Sequence, residues 1–253
     1  MTPPAHQHPA LQVTRLSAGY PGVLALEDVE LSVEPGHLCA LLGANGSGKS
    51  TLFAALLGLR RPFAGAVSIF GQPPSKARRH NLVSYLPQLD AVDHSFPLTV
   101  GQLVMMGRHP HQGITRRVRA QDRRLVEDAL EQVDLQHLGH RTVGELSGGQ
   151  RRRAMLARSI AQQAPLMLLD EPFAGVDRTS EELIVSVLHT LRDAGTSLLV
   201  STHHLDGVES LADDVVLLHR RVLASGRPEE VLTEEQLAQA FGAVLASNPE
   251  GSR

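Results

Sequence analysis

Three short stretches of this chain carry residues whose types and spacing suit phosphate chemistry. Gly43-Ala44-Asn45-Gly46-Ser47-Gly48-Lys49-Ser50 fits G-x-x-x-x-G-K-[ST] without a mismatch. Glycines let backbone N–H groups turn inward and approach phosphates closely, and a following helix N-terminus adds partial positive charge. Lys49 is expected to reach the β- and γ-phosphates, and the Ser50 hydroxyl to ligate Mg²⁺. Downstream, the apolar run Leu166-Met167-Leu168-Leu169 ends in Asp170-Glu171. Asp170 would emerge at the C-terminal end of a buried strand, where open α/β sheets bind ligands, and would hold Mg²⁺ through a water. Glu171, one residue further, is the natural general base for an attacking water. Between them lies Leu146-Ser147-Gly148-Gly149-Gln150. Its serine and two glycines should open a helix near Gln150, an anion site of hydroxyl and backbone amides.

The elements that must carry these residues are legible in the pattern. His37 to Leu42 reads as a buried strand, and Thr51 to Leu59, apolar nearly all round, as a buried helix. Strand, glycine loop, helix is the order the phosphate site needs. Leu11 to Val33 has β character, with Glu27, Val29, Leu31 and Val33 alternating against Asp28, Glu30 and Ser32; Ser17 to Gly22 reads as turn-rich. Val67–Phe70, Val83–Leu86, Leu166–Asp170 and Thr196–Thr202 read as strands, and Val215–Leu218 with Val222–Ala224 as a hairpin. From Leu98 to about Gln163 the period is helical, with Leu125, Val126, Ala129, Leu130 and Val133 on one stripe, predicting a helical lobe inserted into an α/β core. Thr179 and Glu182 are spaced as a capping box for a helix to about Asp193, ended by Gly195, and Pro228 should open a terminal helix.

Composition narrows the function. The chain has 253 residues, 42% hydrophobic and 20% charged, as in an ordinary globular protein. No apolar run is long enough to span a bilayer, and the N-terminus has no signal-peptide core, so a cytoplasmic location is expected. Cys39 is the single cysteine, which rules out an internal disulfide and suits a small core residue. A net charge of −3 argues against nucleic acid as partner. The 13 histidines fall in no ligand pattern, although His6 with His8 and His109 with His111 are close in sequence. Arg116, Arg117, Arg119, Arg123 and Arg124 make the helical region locally basic, which reads as a solvated face, with anionic headgroups or an acidic loop as the alternative.

With these motifs in this order, the chain resembles the nucleotide-binding subunit of ABC transporters over about residues 11 to 242. The resemblance implies an α/β fold: a P-loop NTPase core of the ABC type with an antiparallel β subdomain and an inserted helical lobe. The core would span about 11–88 and 164–228 and the lobe about 89–163. A C-terminal helix of about 228–242 would follow, with tails at 1–10 and 243–253. The resemblance implies ATP and Mg²⁺ as cofactors and an ATP hydrolase working as a head-to-tail homodimer. Nucleotide contacts carry over to Tyr20, which matches the adenine-stacking aromatic, and to Gly43, Asn45, Gly46, Ser47, Gly48, Lys49, Ser50 and Thr51. Ser147, Gly148, Gly149 and Gln150 match the signature that meets ATP on the opposite subunit, and Asp177 the acidic residue that communicates across the dimer. Glu171, His203 and Gln88 are the implied catalytic residues; Ser50, Gln88 and Asp170 are the implied Mg²⁺ ligands. His204 stands where the family usually has Asp.

A membrane permease is the implied partner, docked by about Leu89 to Arg108, with an extracytoplasmic binding protein acting indirectly. The subunit would sit on the inner face of the membrane. Asp93-His94-Ser95-Phe96-Pro97-Leu98-Thr99-Val100, Met105-Met106-Gly107-Arg108 and Glu171-Pro172-Phe173-Ala174-Gly175-Val176-Asp177 resemble subunits of manganese, zinc or iron importers. Arg108-His109-Pro110-His111 is instead similar to importers of iron chelates, haem and cobalamin. A soluble ABC-type ATPase, such as an iron–sulfur assembly factor, is the alternative of a different class.

Overall fold

The computed structural model describes residues 8–88, 98–113 and 116–245. Three strands are buried at every position: β3 (Leu38–Leu42), β6 (Leu166–Asp170) and β7 (Ser197–Thr202). Strands buried on both faces lie at the centre of a parallel sheet with layers above and below. Here that sheet has six strands in the order β5-β6-β7-β3-β8-β9, with β5 at Val83–Leu86, β8 at Asp214–His219 and β9 at Arg221–Gly226. Only β8 and β9 run antiparallel. A second, antiparallel sheet has the order β2-β1-β4, from β1 (Leu11–Tyr20), β2 (Val23–Val33) and β4 (Ala64–Ile69).

The period of two along β3 splits the core. Leu38, Ala40 and Leu42 point into one apolar cluster, shared with the helical region. Cys39 and Leu41 point into the other, between the two sheets, with Leu52, Phe53 and Leu56 of α1 (Lys49–Leu56). Burial pushes the Cys39 thiol far above its usual range, so it is an inert core residue. After the short α2 (Pro74–Arg79), the helical region comprises α3 (Val100–Met105), a 3₁₀ segment (Met106–His111), α4 (Ala120–Gln132) and α5 (Gly148–Ala161). Val126, Ala129 and Leu130 form the buried stripe of α4, as the period predicts. Following β6 come α6 (Arg178–Asp193), α7 (Val208–Leu211), α8 (Pro228–Val231) and α9 (Glu234–Leu245).

Several expectations shift. Ser17 to Tyr20 is strand, and the turn narrows to Pro21 and Gly22, because a paired backbone outweighs weak turn propensity. The alternation in β2 breaks at a bulge, where Asp28 takes φ 51° and Leu26 becomes the buried residue. α1 stops at Leu56 and leaves Leu59 67% exposed, so the apolar run outlasts the helix. Asp177, not Thr179, caps α6: its carboxylate accepts from Ser180 N–H at 2.9 Å, while Glu182 pairs outward with Arg178. Pro228 opens only one turn, and the chain restarts at Thr233, whose carbonyl accepts from Leu237 N–H. Ala10, expected in the tail, is fully buried, and its carbonyl accepts from Phe70 N–H. Residues 1–7 and 246–253 lie outside the described residues.

Candidate functional site

The parallel strands end on one line. Leu42 is paired with Thr202 and Asp170 with Ser201, so the loops after β3, β6 and β7 emerge side by side, with the exit of β5 next to that of β6. They enclose a cleft of about 180 Å³ lined by Asn45, Gly46, Gly48, Lys49, Ser50, Thr51, Gln88, Asp170 and Glu171, with Ala25 from β2. Nine residues singled out by sequence thus share one wall set, although up to 126 positions separate them.

Gly48 turns the loop into α1 at φ 105°, and a Cβ there would meet Leu26 Cδ2 at 2.5 Å. Left-handed backbone and close packing together require glycine. α1 has no capping side chain and no acidic residue in its first turn. Its first N–H donors therefore face the cleft without a side-chain acceptor, as an anion site needs. Lys49 is buried and donates to Gly43 O at 2.6 Å and Ala44 O at 3.3 Å, with Glu171 Oε1 3.5 Å away. Phosphate oxygens would take over from two carbonyls, a stronger, charge-assisted pairing. Ser47 is 1% exposed and is not among the residues lining the cleft, and its carbonyl accepts from Arg220 N–H at 2.8 Å.

The acidic pair is held by His203, already singled out in the sequence, and by Ser201 and Tyr85, which carry no sequence signal. Ser201 Oγ donates to Asp170 Oδ1 at 2.7 Å and accepts from Glu171 N–H at 3.0 Å. Tyr85 Oη donates to Asp170 Oδ2 at 3.4 Å, and burial, with Asp170 beside it, pushes the phenol up to about 12. His203 Nδ1–H donates to Glu171 Oε2 at 2.8 Å. The His204 ring lies tilted against that of His203, with centroids 4.1 Å apart, and its main-chain N–H donates to Thr202 Oγ1. Glu171 itself adopts φ 51°, a left-handed conformation that costs a non-glycine residue about 1–2 kcal/mol.

Arg152 of α5 is 1% exposed and offsets that strain. It donates to Asp170 O at 2.6 Å, Glu171 O at 2.5 Å, Pro172 O at 3.0 Å and Pro87 O at 2.7 Å. Burial pulls its guanidinium down to about 10, which leaves it a cation at neutral pH. The signal in sequence was slight: one arginine in a run of three.

The signature segment lies elsewhere. Ser147 caps α5 two residues earlier than expected, accepting from Gln150 N–H at 3.2 Å, while Gln150 Oε1 accepts from Ser147 N–H at 3.0 Å. This reciprocal box spends Gln150 on the helix end and leaves Ser147 and Gly148 exposed. Neither lines the cleft of its own chain. Gly149 is buried against the Asp177–Ser180 cap. The Ser180 hydrogen bonds hold the Asp177 carboxyl below its usual range. Tyr20 stands outside the cleft lining, half exposed, with the Arg60 guanidinium 3.9 Å from its ring centre and Arg60 Nη1 donating to Gly19 O. Arg108 is buried: it pairs with Asp122 at 3.1 Å and donates to Ala161 O at 2.8 Å, so it braces the helices and offers no docking surface. His111 Nε2 lies 2.8 Å from Gln162 O in the same brace. Residues 89–97, the first nine of the twenty in the expected permease-facing segment, lie outside the described residues. Among the described residues no cluster suits a metal ion through His, Cys, Asp and Glu alone, and no helix is long and apolar enough to cross a membrane.

The pattern of the family described as ABC transporter matches residues 26–174. The chain is 46% identical over 219 residues to the manganese transport system ATP-binding protein MntA of Synechocystis, covering 87% of this chain and 84% of that protein. It is 40% identical over 246 residues to the zinc transport system ATP-binding protein TroB of Treponema pallidum, covering 96% and 92%. A solved ABC transporter described as of metal-chelate type, in an inward-facing conformation, superposes with a TM-score of 0.82 at 30% identity, covering 93% of this chain and 90% of that one.

Proposed function

The chain belongs to the ABC transporter family as an ATP-hydrolysing, nucleotide-binding subunit, and from that premise we propose that it powers import of a divalent metal ion, manganese, zinc or iron. The kinship with manganese and zinc systems supports the cargo. A 43% identical relative from Yersinia pestis is named for chelated iron transport, which favours an iron-chelate importer as the second reading. The cargo never enters this cleft; it is selected by a permease partner and an extracytoplasmic binding protein.

The chemistry follows from the geometry. Lys49 and the first amides of α1 hold the β- and γ-phosphates. The oxygens of Ser50, Gln88 and Asp170 line one cleft, the donor type that Mg²⁺ takes, so these residues fit the ion. When bound, it would neutralise phosphate charge. Glu171, steadied by Ser201 and His203, orients and deprotonates the attacking water. His203, 38% exposed at the rim, is free to turn its other nitrogen to the γ-phosphate. Tyr20 stacks on adenine with the face that Arg60 leaves open.

The observation that carries a dimer is the placement of Ser147 and Gly148: an exposed helix N-terminus outside its own cleft. Two chains head to tail bring each signature to the other's γ-phosphate. ATP closes the pair and hydrolysis opens it, with Asp177 at the seam. We assign the helical lobe to about 89–163 and the permease contact to about Leu89–Arg108, less the buried Arg108. The protein would then sit on the inner face of the membrane.

Glu171→Gln should abolish turnover, keep ATP binding and trap a dimer seen by size-exclusion chromatography with ATP. Undiminished turnover would refute the assignment of the base. For cargo, cells lacking the gene should lose manganese or zinc by elemental mass spectrometry, restored by wild type and not by Glu171→Gln. No change in any metal under scarcity would move the reading to another cargo.

A further inference from the structure

Arg152 is a fully buried arginine that spends its guanidinium on main-chain carbonyls. Among the described residues no carboxylate forms a direct ion pair with it. Three of its acceptors, Asp170, Glu171 and Pro172, are consecutive. Successive carbonyls in a regular strand point to opposite sides, so three can converge on one donor only where the chain turns sharply. That turn is Glu171 at φ 51°. The fourth acceptor is the carbonyl of Pro87, directly before Gln88.

Arg152 also belongs to the helix whose first turn presents Ser147 and Gly148. A planar, five-donor fork cannot shift against four fixed carbonyls without losing some of them. Displacement of α5 is therefore felt at the main chain of Glu171 and at the stem of Gln88. We propose that Arg152 is a positioning residue that sets Glu171 and Gln88 of its own subunit from the helix that meets the partner's nucleotide. This rests on the reading of Glu171 as the base and of Ser147–Gly149 as a trans contact. It adds a route by which occupation of one site is transmitted to the other.

The test uses the full chain, with Arg152→Gln and Arg152→Lys beside Glu171→Gln. ATP turnover is normalised to bound nucleotide, so that unfolded protein does not count as slow protein. Arg152→Gln should lower kcat about 100-fold, the loss typical of a base displaced by roughly an ångström, with the ATP KM within about twofold. Its Hill coefficient for ATP should fall toward unity. Arg152→Lys, still cationic but without the fork, should recover part of kcat. Unchanged kcat per bound nucleotide, or a kcat loss matched by an equal rise in KM, overturns the proposal. If Arg152→Gln does not fold, the kcat-to-KM pattern of Arg152→Lys decides. Normal turnover in Glu171→Gln would sink the underlying reading instead; a dead Glu171→Gln beside an unaffected Arg152→Gln would sink this inference alone.

Discussion

Replacing Gly149 by alanine should destabilise the isolated chain, whereas the same change at Gly148 should not. A Cβ on Gly149 would lie 2.5 Å from Ser180 Oγ and 2.7 Å from Asp177 Oδ2. These atoms cannot retreat freely, because Ser180 Oγ donates to Asp177 Oδ2 at 3.0 Å within the cap of α6. Relief requires a shift of roughly 0.9 Å, the shortfall from the 3.4 Å at which ordinary contact begins. Overpacking costs about 1–3 kcal/mol, and a broken cap about 1 kcal/mol. Against this, alanine gains up to about 1 kcal/mol over glycine as a helix former, less in a first turn. The balance is a loss of about 1–3 kcal/mol, or roughly 2–12 °C of melting temperature for a chain this long. At Gly148 the nearest atom is Gly175 O at 3.4 Å, which is tolerable, so the helix gain decides and stability holds or rises slightly. Calorimetric melting without nucleotide separates the two. Equal melting of both variants, or Gly149→Ala at or above wild type, would refute the packing argument. In the proposed head-to-tail pair, ATP-driven dimerisation should suffer in both, because a methyl at Gly148 would face the partner's nucleotide.

Three further outcomes follow from the geometry. Tyr20→Ala should weaken ATP binding about 5- to 150-fold, since base stacking on an aromatic is worth about 1–3 kcal/mol, while Tyr20→Phe stays near wild type; equal affinities in titration calorimetry would remove Tyr20 from the adenine site. Arg108→Met leaves Asp122 buried without its cation and should cost about 3–5 kcal/mol, read as an earlier urea midpoint; a midpoint matching wild type would return Arg108 to the surface. The Tyr85 phenol titrates near 10 when unfolded and about 12 when folded, so its contribution is complete below pH 10 and disappears as pH rises through 12. Circular dichroism should therefore show stability falling over that window in wild type and less steeply in Tyr85→Phe, and identical slopes would count against the assignment.

The phosphate loop, the strand ending in Asp170 and Glu171, and the serine-glycine helix start are legible in the linear chain because each is local. A loop, a strand end and a helix end are defined by neighbours in sequence, and their chemistry follows from residue type. The stripe on α4 is legible for the same reason. Only the tertiary structure decides which residues hold Glu171 in its left-handed conformation. Ser201 reaches it by strand register, at the position paired with Asp170, and Arg152 by the packing of α5 beneath the turn. Neither carries a motif, since a serine in a buried strand and one arginine among three look ordinary until distance in space replaces distance in sequence. The same holds for Asp177, whose capping of α6 beat the Thr179–Glu182 pattern, and for Arg108, which looked like docking surface and is a buried brace. Sequence alone determines which groups are able to do the chemistry, because reactivity is a property of side chains and local turns; the tertiary structure decides what aims them, because aim comes from contacts the chain makes only after it has closed on itself.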